Sequence, residues 1–123
     1  MADKNNRRAG IVYVKIDGAL QEAKGSFSYG LGIPKRDPII GADGVHGFKE
    51  TPTVAFIEGA ITDSPDLALA DFQQQDGVTV TLELNNGKTI VLADAWFAAE
   101  GTVTTDEAEI PARWESRKPA TEM

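Results

Sequence analysis

The residues that come nearest to a chemical site lie in the stretch "GVHGFKE", residues 44–50, which holds the single histidine of the chain. His46 follows Asp43 by three positions and precedes Glu50 by four, and a histidine beside a carboxylate is a common pair for acid–base catalysis or metal binding. A metal site needs three or four converging ligands, however, and histidine supplies one here. A hydrolase needs a nucleophile paired with a base, and the chain has no cysteine. We therefore expect no catalytic residue, no metal site and no enzyme activity.

Two other groups of residues resemble binding sites, and both favour turns instead. Three acidic residues, Asp106, Glu107 and Glu109, are able to ligate calcium, but no glycine lies where a calcium loop has its central turn. The glycine runs "GLG" and "GADGVHG" lack the strand–turn–helix context of a phosphate-binding loop. We expect a charged hairpin tip, glycine turns and no bound cofactor.

The composition is that of one ordinary globular domain. The chain has 123 residues, of which 41% are hydrophobic and 25% charged, so a single domain covering 1–123 is expected. The absence of cysteine excludes disulfides and thiolate zinc sites. The N-terminal "MADKNNRRAG" is too polar for a signal peptide, and no segment has the roughly 20 apolar residues of a membrane span. These features predict a soluble protein made in the cytoplasm, without a membrane partner.

The charges are distributed unevenly along the chain. Residues 1–49 carry eight Lys or Arg and five Asp or Glu, net +3, whereas residues 50–123 carry four against fourteen, net −10. A protein that reads nucleic acid needs a basic face for the phosphates, and most of this chain is acidic. The basic N-terminal residues Lys4, Arg7 and Arg8 favour a solvated terminus over a phosphate-binding arm, because no aromatic residue lies among them. This separation of positive and negative charge along the chain suits copies that stack head to tail.

Most of the chain is predicted to form strands. A β-branched run from Ile11 to Ile16 predicts a strand that turns at Asp17-Gly18. In "SFSYGL", residues 26–31, aromatic and leucine side chains alternate with serine and glycine, so one face is buried and the other is small and polar. A further strand is expected from Thr53 to about Ile61.

One short amphipathic helix is predicted in "DSPDLALADFQQQDG". Its start carries an N-cap residue, a proline at the first helical position and an acid at the positive end of the dipole: Ser64, Pro65 and Asp66. Gly77 follows the expected end, and Leu69 and Phe72 lie on the face that should pack on a sheet.

The clearest hairpin is "VTVTLELNNGKTIVLADAWF", residues 78–97. A three-residue loop with Gly87 left-handed aligns apolar residues across the two strands. The expected pairs are Leu84 with Lys88, Leu82 with Ile90 and Val80 with Leu92. A two-residue loop would set Leu82 opposite Val91 and bury less apolar surface, so the three-residue loop is preferred.

The C-terminal part predicts a last strand or hairpin from 101 to 115. The alternating residues expected on its inner face are Ile110, Ala112 and Trp114. Pro111 cannot donate a hydrogen bond to a neighbouring strand, so it is expected at a sheet edge or at a strand start.

Two segments are predicted to lie outside the regular elements. Residues 33–50 contain two prolines and three glycines without a sustained period, which is typical of a long loop. Residues 117–123 are expected to be a mobile tail, which leaves 10–116 as the ordered core.

From about Gly10 to Ser116 the order of the motifs resembles the tail tube proteins of Mu-type contractile-tailed bacteriophages. The resemblance is carried by "GVHGFKE", followed by "FIEGAITD", "NGK" and "DAW", which are specific in combination. Two positions depart from the family pattern: Ala108 stands in a turn where glycine is expected, and Trp114 stands where phenylalanine is expected.

The resemblance implies a mainly β fold with one short helix, a β-sandwich or barrel whose strands join a continuous ring barrel on hexamerisation. Stacked hexameric rings would form the inner tube that conducts DNA during ejection. The tube would be assembled in the host bacterial cytoplasm and become part of the virion tail. The implied partners are further copies of the chain and the tail sheath, tape measure and baseplate proteins, while DNA passes through the lumen without specific binding.

The resemblance also assigns roles to two groups of residues. The segment 33–50 becomes an assembly element that contacts a neighbouring subunit or ring. Its expected contact residues are Val45, His46, Phe48, Lys49 and Glu50. The small polar residues expected to face the lumen are Ser26, Ser28, Thr102 and Thr104.

Two alternatives belong to other classes of protein. A tube subunit of a contractile bacteriocin or secretion system has the same fold and differs in its cargo. A small β-barrel binding module would carry aromatic residues on an exposed strand face with basic neighbours, whereas here the aromatics alternate with small polar residues and acids outnumber bases.

The charge pattern predicts that assembled protein does not bind DNA at physiological salt. Binding driven by phosphate neutralisation tightens as salt falls, whereas an acidic surface repels the backbone most at low ionic strength, where the Debye length reaches about 30 Å at 0.01 M. Fluorescence anisotropy of short duplex and single-stranded DNA across salt concentrations tests this. Saturable binding that tightens at low salt and disappears when Arg7 and Arg8 are replaced by Ala would contradict it.

Overall fold

The computed structural model describes residues 12–65 and 67–123, and in this part the chain is mainly antiparallel β-structure with one short helix, as predicted. The elements in chain order are β1 (Tyr13–Ile16), β2 (Ala19–Gln21), β3 (Ala23–Gly30), β4 (Lys35–Gly41), β5 (Gly44–Thr51), β6 (Ala55–Thr62), α1 (Leu69–Gln73), β7 (Val78–Glu83), β8 (Thr89–Phe97), β9 (Glu109–Ser116) and β10 (Thr121–Glu122).

The strands form one large sheet and one separate hairpin. The order in the large sheet is β2-β1-β7-β8-β9-β6-β3, with β10 paired to β8, and β4 and β5 pair with each other. Strand β8 joins the two halves of the large sheet, β2-β1-β7 on one side and β9-β6-β3 on the other. Its first part pairs with β7, while Trp96 and Phe97 at its end pair with β9. Buried residues from both halves form a single hydrophobic core.

The turn predicted at Asp17-Gly18 is present. Asp17 and Gly18 both have positive φ, 50° and 87°, which is the requirement of a two-residue type I′ turn between β1 and β2. Ile11 lies outside the described residues, so the predicted first strand is seen from Tyr13 onward.

The β7–β8 hairpin has the predicted three-residue loop. The Leu84 N–H donates to the Lys88 carbonyl at 2.9 Å, and Gly87 has φ 96°. The predicted pairs Leu82 with Ile90 and Val80 with Leu92 are both found, and all four of these side chains are fully buried. Burying the larger apolar set has therefore selected the register.

Three aromatic rings fill the core beneath α1. Phe72 of α1 makes edge-to-face contacts with Phe97 and Trp114, with ring centroids 5.1 and 5.7 Å apart. The Trp114 indole Nε1 donates a hydrogen bond of 2.8 Å to Gln75 Oε1, so the polar group that tryptophan adds to the core has a partner. The tryptophan that departs from the family pattern is thus accommodated by a glutamine just beyond the helix.

The helix is shorter than the sequence predicted, and its predicted start at Ser64 is wrong. It spans only Leu69–Gln73, begins after Ala68 and has no side-chain cap. The Leu67 N–H instead bonds the Ser64 carbonyl at 3.1 Å, closing a turn around Pro65. Asp66 lies outside the described residues. Capping signals contribute about 1 kcal/mol each, which is less than burying one phenylalanine, so the packing of Phe72 sets where this single turn forms.

The loop predicted for residues 33–50 is also wrong as secondary structure, because this segment forms the β4–β5 hairpin. Glycine and proline in a sequence favour a loop, but here glycine supplies the positive-φ backbone conformation that the hairpin needs. Gly44 and Gly47 have φ of 142° and 136°, and Gly47 adjoins a register shift in the hairpin.

The C-terminal tail was expected to be mobile, and in the structure it carries a strand. In β10, Thr121 pairs with Val91 and Glu122 with Ile90, and Met123 exchanges two backbone hydrogen bonds with Thr89. The start of β8 has an edge that β9 does not cover, and its backbone N–H and C=O groups need partners. The extended C-terminal segment supplies them.

The predicted alternation in the last strand is confirmed. Ile110, Ala112 and Trp114 of β9 are buried, while Pro111 is exposed. Pro111 pairs with Ala60 of β6 and lies outside the stretch of β9 that pairs with β8. It therefore occupies a local edge of the sheet, where its missing N–H is tolerated.

The turn before β9 predicts a stabilising substitution. Ala108 has φ 50°, a left-handed conformation that costs an L-residue about 1–2 kcal/mol, and its carbonyl accepts the Asp63 N–H at 2.8 Å. Ala108→Gly relieves this cost at the expense of about 0.5–1 kcal/mol of unfolded-state entropy. We expect it to raise the free energy of unfolding by about 0.5–1 kcal/mol, measured by urea denaturation.

Ala19→Gly on β2 is the matched control, because Ala19 does not have positive φ. It should destabilise by about 0.5–1 kcal/mol. Equal losses for the two glycine variants would contradict the strain assigned to Ala108.

Candidate functional site

The β4–β5 hairpin is the most exposed regular element among the described residues. Every residue of β5 is exposed, and β4 is exposed at all but Asp37 and Gly41, which are half-buried. Large apolar side chains nevertheless lie on it: Ile40 is 73% exposed, Val45 70% and Phe48 48%. A two-stranded hairpin without a packed face is at best marginally stable in water, so this element requires a partner surface.

Cross-strand pairing gives the hairpin an apolar face. Pro38 pairs with Phe48 and Ile40 pairs with Val45, so these four side chains lie on one side. The Arg36 guanidinium carbon lies 4.7 Å from the centre of the Phe48 ring on the same side, in a cation–π contact. We call these five residues the apolar face of the hairpin.

The opposite face of the hairpin is mostly polar. Lys35 Nζ lies 3.5 Å from Asp37 Oδ1, and the Thr51 hydroxyl donates a 3.3 Å hydrogen bond to Asp37 Oδ2. Lys49 is opposite Asp37, and Ile39 is the apolar member of this side. Lys35 and Asp37 pair within the hairpin, and exposed ion pairs contribute little, so this face offers less binding energy than the apolar face.

The tip of the hairpin pairs His46 with Asp43, one of the two carboxylates considered beside it in the sequence. His46 Nε2 and Asp43 Oδ1 are 2.5 Å apart, and this hydrogen bond lowers the pKa of the Asp43 carboxyl. The imidazole lies where a side chain at position 41 would project, so Gly41 makes room for it. Across residues 12–65 and 67–123, no cluster of three or more His, Asp or Glu is placed to hold a metal ion. The pair closes the hairpin tip.

The five contact residues predicted from the sequence all lie on β5 and are exposed, but they do not share a face. Val45 and Phe48 lie on the apolar face, with Glu50 opposite Arg36 at its base, whereas Lys49 lies on the polar face and His46 at the tip. Their contact with a neighbouring subunit remains a prediction.

Sequence reasoning missed the half of the apolar face that comes from β4. Arg36, Pro38 and Ile40 are opposite Glu50, Phe48 and Val45, and a register is needed to see this. The available signal was the alternation of Arg36, Pro38 and Ile40 two residues apart, which the two prolines of the segment obscured.

The four residues predicted to face the lumen are exposed. Ser26 and Ser28 lie on β3 at the end of the large sheet, while Phe27 and Tyr29 between and beside them pack against the core. Thr102 and Thr104 precede β9, and Thr104 forms a two-way backbone bridge with Glu109. The predicted division into a polar and a buried face is confirmed for β3, and the lumen role remains a prediction.

The acidic residues considered as calcium ligands lie in or beside the turn before β9. Glu107 forms an ion pair with Lys24, whose ammonium nitrogen lies 3.2 Å from Glu107 Oε2. This ion pair ties the turn to β3. In the described part of the chain, no helix is long and apolar enough to cross a membrane.

Comparison with known proteins identifies the class. The family model described as phage tail tube protein matches residues 5–120, so the chain belongs to the phage tail tube family. It is 27% identical to the tail tube protein of Escherichia phage Mu over 95 residues, which cover 77% of this chain and 80% of that protein. It is 25% identical to the Mu-like prophage FluMu tail tube protein of Haemophilus influenzae over 97 residues, covering 79% and 81%. The predicted resemblance to Mu-type tail tube proteins is therefore confirmed.

The tip geometry predicts an acid-shifted titration. Two hydrogen bonds lower the pKa of Asp43 below its ordinary 3.8. The larger effect comes from the His46 side chain and the smaller one from the backbone of Asp43 itself. Because the pKa is lowered in the folded state, the stabilisation of the tip is present above pH 3.8 and is lost as the pH falls through the lower, folded value.

Carboxyl NMR titration should place the Asp43 midpoint below 3.8 and return it towards 3.8 in the His46→Ala variant. Val45→Ala is the control, since it leaves the pair intact. An Asp43 midpoint that does not respond to His46→Ala would contradict the assigned cause.

Proposed function

We propose that this tail tube protein polymerises as stacked hexameric rings and forms the inner tube that conducts DNA during ejection. The observation that carries the proposal is the β4–β5 hairpin, which exposes an apolar face although the chain has a complete hydrophobic core elsewhere. A surface of this kind is stable in water when another molecule covers it.

Two sheet edges that no described residue pairs with support closure into a ring. The large sheet ends in β2 on one side and β3 on the other, and β3 is eight residues long. Unpaired edges template association with other chains, and natural proteins remove this liability by pairing or closing the sheet. Pairing between the β3 edge of one subunit and a strand of the next would extend the sheet around a ring into a continuous barrel.

The exposed polar residues suit the wall of a channel. Four residues are small, uncharged and exposed, so they offer no apolar platform to a base: Ser26 and Ser28 of β3, and Thr102 and Thr104 before β9. Residues 50–123 carry net −10, which repels phosphate. A lumen built in this way lets DNA slide without holding it.

The hairpin then serves as the docking arm between subunits or rings, through Val45, His46, Phe48, Lys49 and Glu50. The tube acts structurally rather than as an enzyme and requires no cofactor. Its partners in the virion tail are the sheath, tape measure and baseplate proteins, and assembly takes place in the host bacterial cytoplasm.

Assembly is tested by truncating the docking arm. Val45→Ala and Phe48→Ala, singly and together, should reduce tube or ring formation, measured by negative-stain microscopy and sedimentation of concentrated protein. The thermal melt of the subunit should change little, because truncation of an exposed side chain costs within about 0.5 kcal/mol. Val54→Ala is the matched control, since Val54 is also exposed but lies between β5 and β6.

A protein that stays a compact monomer at high concentration, with the outer amides of β3 fully protected from hydrogen exchange, would contradict the proposal. A hydrolytic activity or stoichiometric metal binding that disappears in His46→Ala would redirect it towards a chemical role for the tip.

A further inference from the structure

We propose that the apolar face of the hairpin from one copy docks into the groove between β2 and α1 of a second copy. This inference rests on the proposed polymerisation and adds the surface that receives the docking arm. The contact joins two different parts of the chain.

The groove is a cavity of about 420 Å³ on the surface of the large sheet beside the helix. Its apolar lining comes from Leu20 of β2 and from Leu67, Ala68 and Phe72 at the helix. Glu22 and Asp71 contribute the acidic part of the lining. Its size falls in the range of sites that enclose a few side chains, and is too small for a whole strand pair.

None of the residues that the structure describes fills the groove. Leu20 is 60% exposed although it lines the cavity, and Ala68 is exposed beside it. The hairpin of the same chain does not cover them, since Val45 and Ile40 are themselves 70% and 73% exposed. Both surfaces are therefore available to a second copy.

The side chains nearest the hairpin tip are small enough for the volume of the groove. Ile40 and Val45 are cross-strand neighbours and form one apolar pair, and Pro38 with Phe48 forms the next pair about 7 Å further along the strands. The Ile40–Val45 pair lies nearest the tip, so it can enter a cavity of this volume while Phe48 covers the rim.

The charges are complementary. Arg36 lies on the apolar face and makes a cation–π contact with Phe48, but it forms no ion pair with any described residue. Glu22 and Asp71 of the groove likewise have no cationic partner in the described part of the chain. Insertion of the Ile40–Val45 pair would bring the Arg36 guanidinium towards this acidic rim, where desolvation strengthens the attraction.

A contact of this type generates a polymer. Because the hairpin and the groove are different patches, the interface is heterologous, and each added copy presents a fresh hairpin or a fresh groove. Repetition gives a closed ring if the rotation between copies closes and a growing stack if it does not, and in neither case a two-fold dimer.

Disulfide trapping tests the contact directly, because the natural chain contains no cysteine. Val45→Cys and Ala68→Cys proteins are mixed, assembled and oxidised. Close approach raises the effective concentration of the two thiols, so we expect roughly tenfold more 45–68 heterodimer than in the control mixture. The control replaces Ala68→Cys by Ala70→Cys, which lies two residues further on, in the first turn of α1, is also exposed, and does not line the groove.

Charge reversal provides a second measurement that does not depend on the cysteine variants. Arg36→Glu should raise the protein concentration needed for assembly about tenfold, and combining it with Asp71→Arg should restore assembly to within about threefold of the natural chain. Combining Arg36→Glu with Asp76→Arg, a position outside the groove lining, should not restore assembly.

Tubes that form normally but show equal 45–68 and 45–70 crosslinking, without rescue by Asp71→Arg, would overturn the groove assignment and leave the proposed function standing. A natural chain that does not assemble at all would overturn both.

Discussion

The fold depends on the register shift in β8 at Ala93 and Asp94, a bulge that bends the strand just before it gains β9 as a neighbour. The first part of this strand pairs with β7 and its end pairs with β9, so both halves of the sheet meet on one chain segment. Asp94 takes φ 55°, a left-handed conformation that costs roughly 1 kcal/mol or more for a residue other than glycine. The bend is held by Ser116, a buried residue whose hydroxyl lies 2.7 Å from the Ala93 carbonyl and 3.3 Å from the Asp94 carbonyl.

The bend allows one small core to serve the whole domain. It directs Phe97 towards Trp114 and Phe72, while Ile90 and Leu92 face the apolar residues of β7. With the core complete, the β4–β5 hairpin and the edges of β2 and β3 remain outside it. The exposed apolar and edge surfaces are those that the core does not use, so their substitution is expected to leave the core packing unchanged.

A head-to-tail contact between hairpin and groove would complement edge pairing. Edge pairing works through the backbone and extends a sheet sideways, whereas the hairpin contact works through side chains and needs a specific pocket. A tube requires both kinds of contact, because a ring needs lateral neighbours and a stack needs axial ones.

Local patterns predicted much of the fold. The Asn85-Asn86-Gly87 loop, the alternation in β9 and the polar face of β3 are correct because each follows from neighbouring residues and a two-residue period. The helix start was wrong because the cap signal at Ser64 competed with the packing of Phe72, which depends on residues far along the chain. The predicted docking residues all lie on the exposed strand β5, and their docking role stays a prediction.

The sequence by itself determined the fold class, the strand faces and the family, since these rest on period, turn chemistry and the order of motifs. Only the tertiary structure decided that residues 35–51 form a hairpin, that Arg36, Pro38 and Ile40 share a face with Val45 and Phe48, and that a groove opens beside α1. The physical reason is that a face of a strand pair is defined by register, and a groove by the distance between elements remote in sequence. Neither quantity is encoded in the local period of one segment.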